Sequence, residues 1–152
     1  MGGLHHVELW TDDQELDERR WDWLLTTLGW SHGDVWERGR SWALGSTYLV
    51  LTTAPLVKQG HHDRRRAGLN HLAFHAGTDA ELERLVVEAP NNGWQLLYED
   101  RYPGPNDNGS LAAYLSTETG WKVEIVVGES TARNDRDENA GRQPVGGKNH
   151  AN

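Results

Sequence analysis

Two histidines stand at matching places in a chain that repeats itself. Gly3-Leu4-His5-His6-Val7-Glu8-Leu9 is echoed by Gly68-Leu69-Asn70-His71-Leu72-Ala73-Phe74, which puts His6 and His71 at the same position of two units. A third candidate is Glu124, a lone carboxylate inside the apolar stretch Lys122-Val123-Glu124-Ile125-Val126-Val127. A charge in the middle of such a strand is costly unless it is paired or coordinates something. Two imidazoles and one carboxylate make a ligand set that leaves coordination positions open, as catalysis by Fe, Mn, Ni or Zn requires. Glu8 shares a strand face with His6 at about 6–7 Å, a position suited to a general base or to orienting a histidine. Tyr114, expected in the strand beside Glu124, is placed to hydrogen-bond an oxyanion. Lys122 is placed either to pair with Glu124 or to meet an anionic substrate. His75 has the parity of His71 but lies about 13 Å along the strand, too far to share an ion.

The elements that must carry these residues follow from the repeat. Each unit opens with a strand, Leu4 to Trp10 or Leu69 to His75, and runs into a helix start. Asp12 with Glu15, and Thr78 with Glu81, have capping-box spacing. Leu16, Trp23, Leu24 and Leu28 recur at helical spacing before Gly29; Leu82, Leu85, Val86 and Ala89 do so before Pro90 and Gly93. Three strands complete each unit: Trp30–Trp36, Ser41–Leu44 and Thr47–Thr52 in the first, and Trp94–Glu99, Leu111–Ser116 and Lys122–Val127 in the second. A long loop from Arg101 to Ser110 is expected between the first two strands of the second unit. The fold class is therefore α+β: two tandem βαβββ modules, about 3–53 and 68–127, within one domain spanning 1–127. Residues 54–67 form a linker, and 128–152, poor in large apolar residues, a mobile tail. Modules this small should pair and place His6, Glu8, His71 and His75 along a shared cleft between curved sheets.

Composition narrows the function classes. The net charge of -8 over 152 residues argues against nucleic acid as a partner. The absence of cysteine excludes disulfides and thiol catalysis. Without a long apolar run or a signal-peptide pattern, a cytoplasmic protein that does not engage membranes is expected. Eight tryptophans against one methionine and one phenylalanine supply large aromatic core residues, or else walls for an apolar ligand. Arg64-Arg65-Arg66 with His61 and His62 reads as a solvated linker rather than a site.

Leu4-His5-His6-Val7, Leu69-Asn70-His71-Leu72, and Tyr114 followed by Gly120-Trp121-Lys122-Val123-Glu124 resemble the anchors of the vicinal oxygen chelate superfamily. That superfamily includes glyoxalase I, bleomycin and fosfomycin resistance proteins, methylmalonyl-CoA epimerase and extradiol dioxygenases. The resemblance covers residues 3–127. It implies a divalent metal held by His6, His71 and Glu124, a small oxygenated substrate chelated there, and a homodimer whose modules pair within or between chains. The first module departs from four-ligand members: counting from Gly45 as Glu124 lies from Gly120 reaches Leu49, and Tyr48 to Leu51 holds no carboxylate. Asn106-Asp107-Asn108 before Tyr114, and Glu118 after it, depart from the extradiol signature. Isomerase or lyase, dioxygenase and antibiotic-modifying chemistry all stay open. So does a non-catalytic protein that sequesters a small molecule or antibiotic.

Overall fold

The computed structural model describes residues 2–105 and 109–128. Its first module runs β1 (His6–Trp10), α1 (Gln14–Thr27), β2 (Ser31–Trp36), β3 (Gly39–Leu44) and β4 (Thr47–Thr52). The second runs β5 (Leu72–Gly77), α2 (Asp79–Glu88), a 3-10 turn (Ala89–Asn92), β6 (Gln95–Leu97), a second 3-10 turn (Glu99–Arg101), β7 (Gly104–Pro105), β8 (Leu111–Ser116) and β9 (Lys122–Val127). The sheets are ordered β1-β4-β3-β2 and β5-β9-β8-β6, with β7 added beside β8. In each module the first strand lies parallel to the last, and the other pairings are antiparallel. The repeat in the sequence is thus a repeat of topology.

Strand alternation decides what faces the interior. Leu9 of β1, Leu49 and Leu51 of β4, and Val123 and Ile125 of β9 point inward, under Trp21, Leu24 and Leu25 of α1 and Leu82 and Leu85 of α2. One core serves both modules. Trp21 of α1 meets Trp94 edge-on at 5.3 Å, Trp121 at 6.0 Å and Phe74 at 6.5 Å, all three belonging to the second module. Four of the eight tryptophans, Trp21, Trp42, Trp94 and Trp121, are buried there, so core packing is their main role.

Asp17, only 1 % exposed, fastens the modules through polar contacts. Its Oδ2 accepts the hydroxyl of Thr11 (2.6 Å) and the indole N–H of Trp121 (2.8 Å), while Oδ1 accepts the hydroxyl of Thr119 (2.7 Å). Arg20 lies 3.7 Å from the same carboxylate and reaches Glu118 at 2.9 Å. The linker is docked over this clasp. His62 stacks on Trp121 at 4.5 Å, and its amide donates to the carbonyl of Thr119. Gly120, at φ +94°, is required here, because a Cβ would collide with the His62 carbonyl oxygen.

Several boundaries differ from expectation, each for a local reason. Asp13, not Asp12, caps α1 by accepting the amide of Leu16. Asp12 instead accepts the amide of Gly60 and faces His61 at 3.3 Å. Burial acts to raise the Asp12 carboxyl, but these partners outweigh it and hold the group below its ordinary value. The capping box of α2 forms as expected, Thr78 and Glu81 satisfying each other's amides. β1 starts at His6 and β5 at Leu72, so His71 lies just outside its strand. β6 stops at Leu97, because Tyr98 turns the chain into the left-handed region at φ 57°. The loop expected from Arg101 to Ser110 contains β7. Asn106, Asp107 and Asn108, and the expected tail from Glu129 onward, lie outside the described residues.

Register also corrects the comparison of the two last strands. Ala73 pairs with Glu124 in the second sheet, and its counterpart Glu8 pairs with Val50 in the first. The partner of Glu124 across the repeat is therefore Val50, on the outer face, whereas Leu49 points into the core. Counting from the turn glycines misses this by one residue, which in a strand reverses the face. Either way, the first module supplies no carboxylate at this place.

Candidate metal centre and its cavity

His71 and Glu124 meet on the outer face of the second sheet. His71 Nε2 lies 3.3 Å from Glu124 Oε2, and Glu124 is 8 % exposed although charged. Charge-assisted hydrogen bonds usually close to about 2.7–2.9 Å. Two donors each about 2.0–2.2 Å from one ion stand about 3.0–3.5 Å apart, so the spacing suits joint ligation better.

The tautomer of His71 is fixed from the linker side. The amide nitrogen of Asn70 donates to the carbonyl of Arg64 (3.0 Å), which turns the amide oxygen toward His71 Nδ1 at 2.7 Å. Nδ1 must then carry the proton, leaving the lone pair on Nε2, the nitrogen facing Glu124. This is the arrangement that a metal-ligating imidazole needs. Asn70 enters the sequence motif only as a neighbour of His71; its role depends on a carbonyl in the linker that no spacing reveals.

Tyr114 lies directly opposite Glu124 in the β8–β9 ladder, and its ring stands edge-on to His71 at 6.0 Å. A cavity of about 360 Å³ opens beside them, lined by His71, Tyr98, Arg101, Tyr102, Tyr114 and Lys122, among others. Its volume is in the range of small-molecule sites. Tyr98, placed in the left-handed region at a cost of about 1–3 kcal/mol, forms part of the wall. Burial, helped by Glu83, pushes the Tyr102 phenol in the cavity wall above its ordinary value.

His6 and Glu8 occupy the outer face of the other sheet, and both are exposed. His6 stacks on Tyr48 at 4.8 Å, and its Nδ1 lies 2.9 Å from that of His5. Glu8 accepts the indole N–H of Trp10 at 2.8 Å and is not buried beside a cation within one chain. Among the described residues no three His, Asp or Glu side chains of one chain are grouped to hold an ion. The chain thus assembles His71 with Glu124 and Tyr114, and separately His6 with Glu8. The shared cleft expected from pairing within a chain does not bring the two halves together. The modules meet instead through α1 and the β8–β9 turn, leaving the face of β1 open. His75 is exposed, away from the pair.

No family model matches the sequence. The chain is 36% identical over 126 residues to the uncharacterized protein YqjT of Bacillus subtilis, covering 82% of this chain and 98% of that protein. A solved candidate glyoxalase from Bacillus halodurans is 40% identical, with a TM-score of 0.75 over 84% of this chain and 96% of that one. The chain belongs to the glyoxalase/bleomycin resistance/dioxygenase superfamily. A glyoxalase/bleomycin resistance protein from Albidiferax ferrireducens, 22% identical, shares the fold with a TM-score of 0.67 over 82% of this chain and 98% of that one. Within this superfamily fold the curved sheets present the outer-face residues described above, and no helix among the described residues is long and apolar enough to cross a membrane.

Proposed function

We propose that this member of the superfamily is a metal-dependent enzyme acting on a small oxygenated substrate, with a divalent Fe, Mn, Ni or Zn ion held by His6, His71 and Glu124. The observation that carries the reading is the His71–Glu124 pair: an almost buried carboxylate and an imidazole of fixed tautomer, 3.3 Å apart beside a cavity. His6 comes from a second copy of the chain. A two-fold dimer that sets the outer face of β1 against the outer face of the partner's second sheet completes two equal sites. Support for this contact is the exposure of Trp10 and Trp36, which strand register sets in one row across the face that carries His6 and Glu8, apolar area that a partner would cover.

When bound, such an ion supplies Lewis acidity to two adjacent substrate oxygens. The chain's own residues do the rest. Glu8 exchanges a proton with the substrate atom beside those oxygens, and Trp10 holds its carboxylate in place. Tyr114 donates a hydrogen bond to the oxygen on which negative charge grows. Tyr102 and Tyr98 wall the substrate from water.

Element analysis of the purified protein tests the reading. Near-stoichiometric Fe, Mn, Ni or Zn is expected, lost in His71→Ala; metal-free protein that binds an aromatic ligand tightly would support the sequestering alternative instead. Asn70→Ala, at an exposed position, is expected to weaken Mn(II) or Zn(II) binding about 10–100-fold while leaving urea unfolding unchanged. Unaltered metal affinity in that variant would show that Asn70 does not orient His71.

A further inference from the structure

The lining of the cavity is out of character for the chain. The protein carries a net charge of -8, yet among the described residues the charged side chains that line the cavity are cations, Arg101 and Lys122. Both are gathered around one ring. The guanidinium carbon of Arg101 lies 4.7 Å from the centre of Tyr98, and Lys122 Nζ lies 5.3 Å from it, within 3.4 Å of its hydroxyl. Lys122 Nζ also sits 4.8 Å from the centre of the Tyr114 ring. No described carboxylate lies within ion-pair distance of either cation. Glu99 and Asp100, next to Arg101 in the chain, are exposed and do not line the cavity.

Aromatic faces hold cations in place but do not neutralise them. Two like charges sharing a ring repel, and a bound anion converts that cost into attraction. Tyr98 sustains the arrangement from a backbone conformation that non-glycine residues rarely adopt. Lys122 precedes Glu124 by two positions on the same strand face, about 6–7 Å away, and His71 lines the same cavity.

We propose that this cavity is an anion subsite, in which Lys122 and Arg101 around Tyr98 receive a carboxylate-sized oxyanion carried by the substrate close to its chelating oxygens. The substrate class is then an anionic small molecule with two adjacent oxygens. The placement of those oxygens rests on the metal reading above; the anion subsite does not.

The probes are 3,4-dihydroxybenzoate and its neutral isostere 3,4-dihydroxybenzamide, titrated calorimetrically into the full-length protein with Mn(II) and again in EDTA. The carboxylate is expected to bind at least about tenfold more tightly than the amide. Lys122→Met is expected to remove that preference, bringing carboxylate affinity down to about that of the amide. Tyr98→Gly, which eases the backbone and deletes the ring, is expected to reduce the preference without lowering the melting temperature. If the metal reading fails but the subsite is real, Mn(II) adds nothing to affinity and the Lys122-dependent preference persists in EDTA. Equal or absent binding of the two probes, or a preference that survives both substitutions, overturns the proposal.

Discussion

Asp17→Ala is expected to lose about 3–5 kcal/mol of stability at neutral pH, the scale for removing one partner from a buried charged cluster. Its carboxylate accepts hydrogen bonds from Thr11, Thr119 and the indole of Trp121, with Arg20 beside it. Truncation takes the acceptor from the Thr11 hydroxyl and the Trp121 indole, and leaves the buried guanidinium of Arg20 with only the Thr119 hydroxyl and the exposed Glu118. Two of the three donors come from the second module, so the loss falls on the joint between modules. With a urea m-value of about 1–3 kcal/mol/M, the midpoint should fall by at least about 1 M. Glu15→Ala is the control on the same helix. Its pair with Arg19, 3.7 Å and exposed on both sides, should cost no more than about 0.5 kcal/mol. Equal midpoints for the two variants would mean that Asp17 does not join the modules.

Parity and repetition made the second sheet's half of the site readable from sequence. Glu124 stands out because strand alternation isolates it among Val123, Ile125 and Val127, and the repeat equates His71 with His6 without structural knowledge. Both predictions depend on periods of two within a strand, which the backbone enforces. What packs against what is a different matter. Asp17 looks in sequence like one more acid on a polar helix, because its partners Thr119 and Trp121 lie in the other module. Asp12 has capping-box spacing, yet Asp13 caps α1, because the amide of Gly60 in the linker engages Asp12 instead. Tyr98 carries no signal of its left-handed turn. The face of β1 could be assigned to His6 and Glu8, but whether that face meets the same chain or another depends on how α1 packs, which periodicity does not encode.

The central claim is that one metal centre takes His6 from one chain and His71 with Glu124 from its partner. That arrangement has a large consequence in mixed dimers. His6→Ala removes the histidine from one wall of both sites, and His71→Ala removes it from the other, so each homodimer should lose metal at limiting concentration by at least about 100-fold in affinity. A heterodimer of the two variants behaves differently. One of its sites carries both lesions, while the other pairs the intact His6 of the His71→Ala chain with the intact His71 and Glu124 of the His6→Ala chain. Under two-fold symmetry that second site is wild type. If His6 and His71 met within a single chain, every site in the same heterodimer would be broken. Co-expression with two different affinity tags isolates the heterodimer, and its metal content decides the matter. About one tightly held ion per heterodimer, against about two per wild-type dimer, is the predicted result; a heterodimer as metal-poor as either parent would contradict the account.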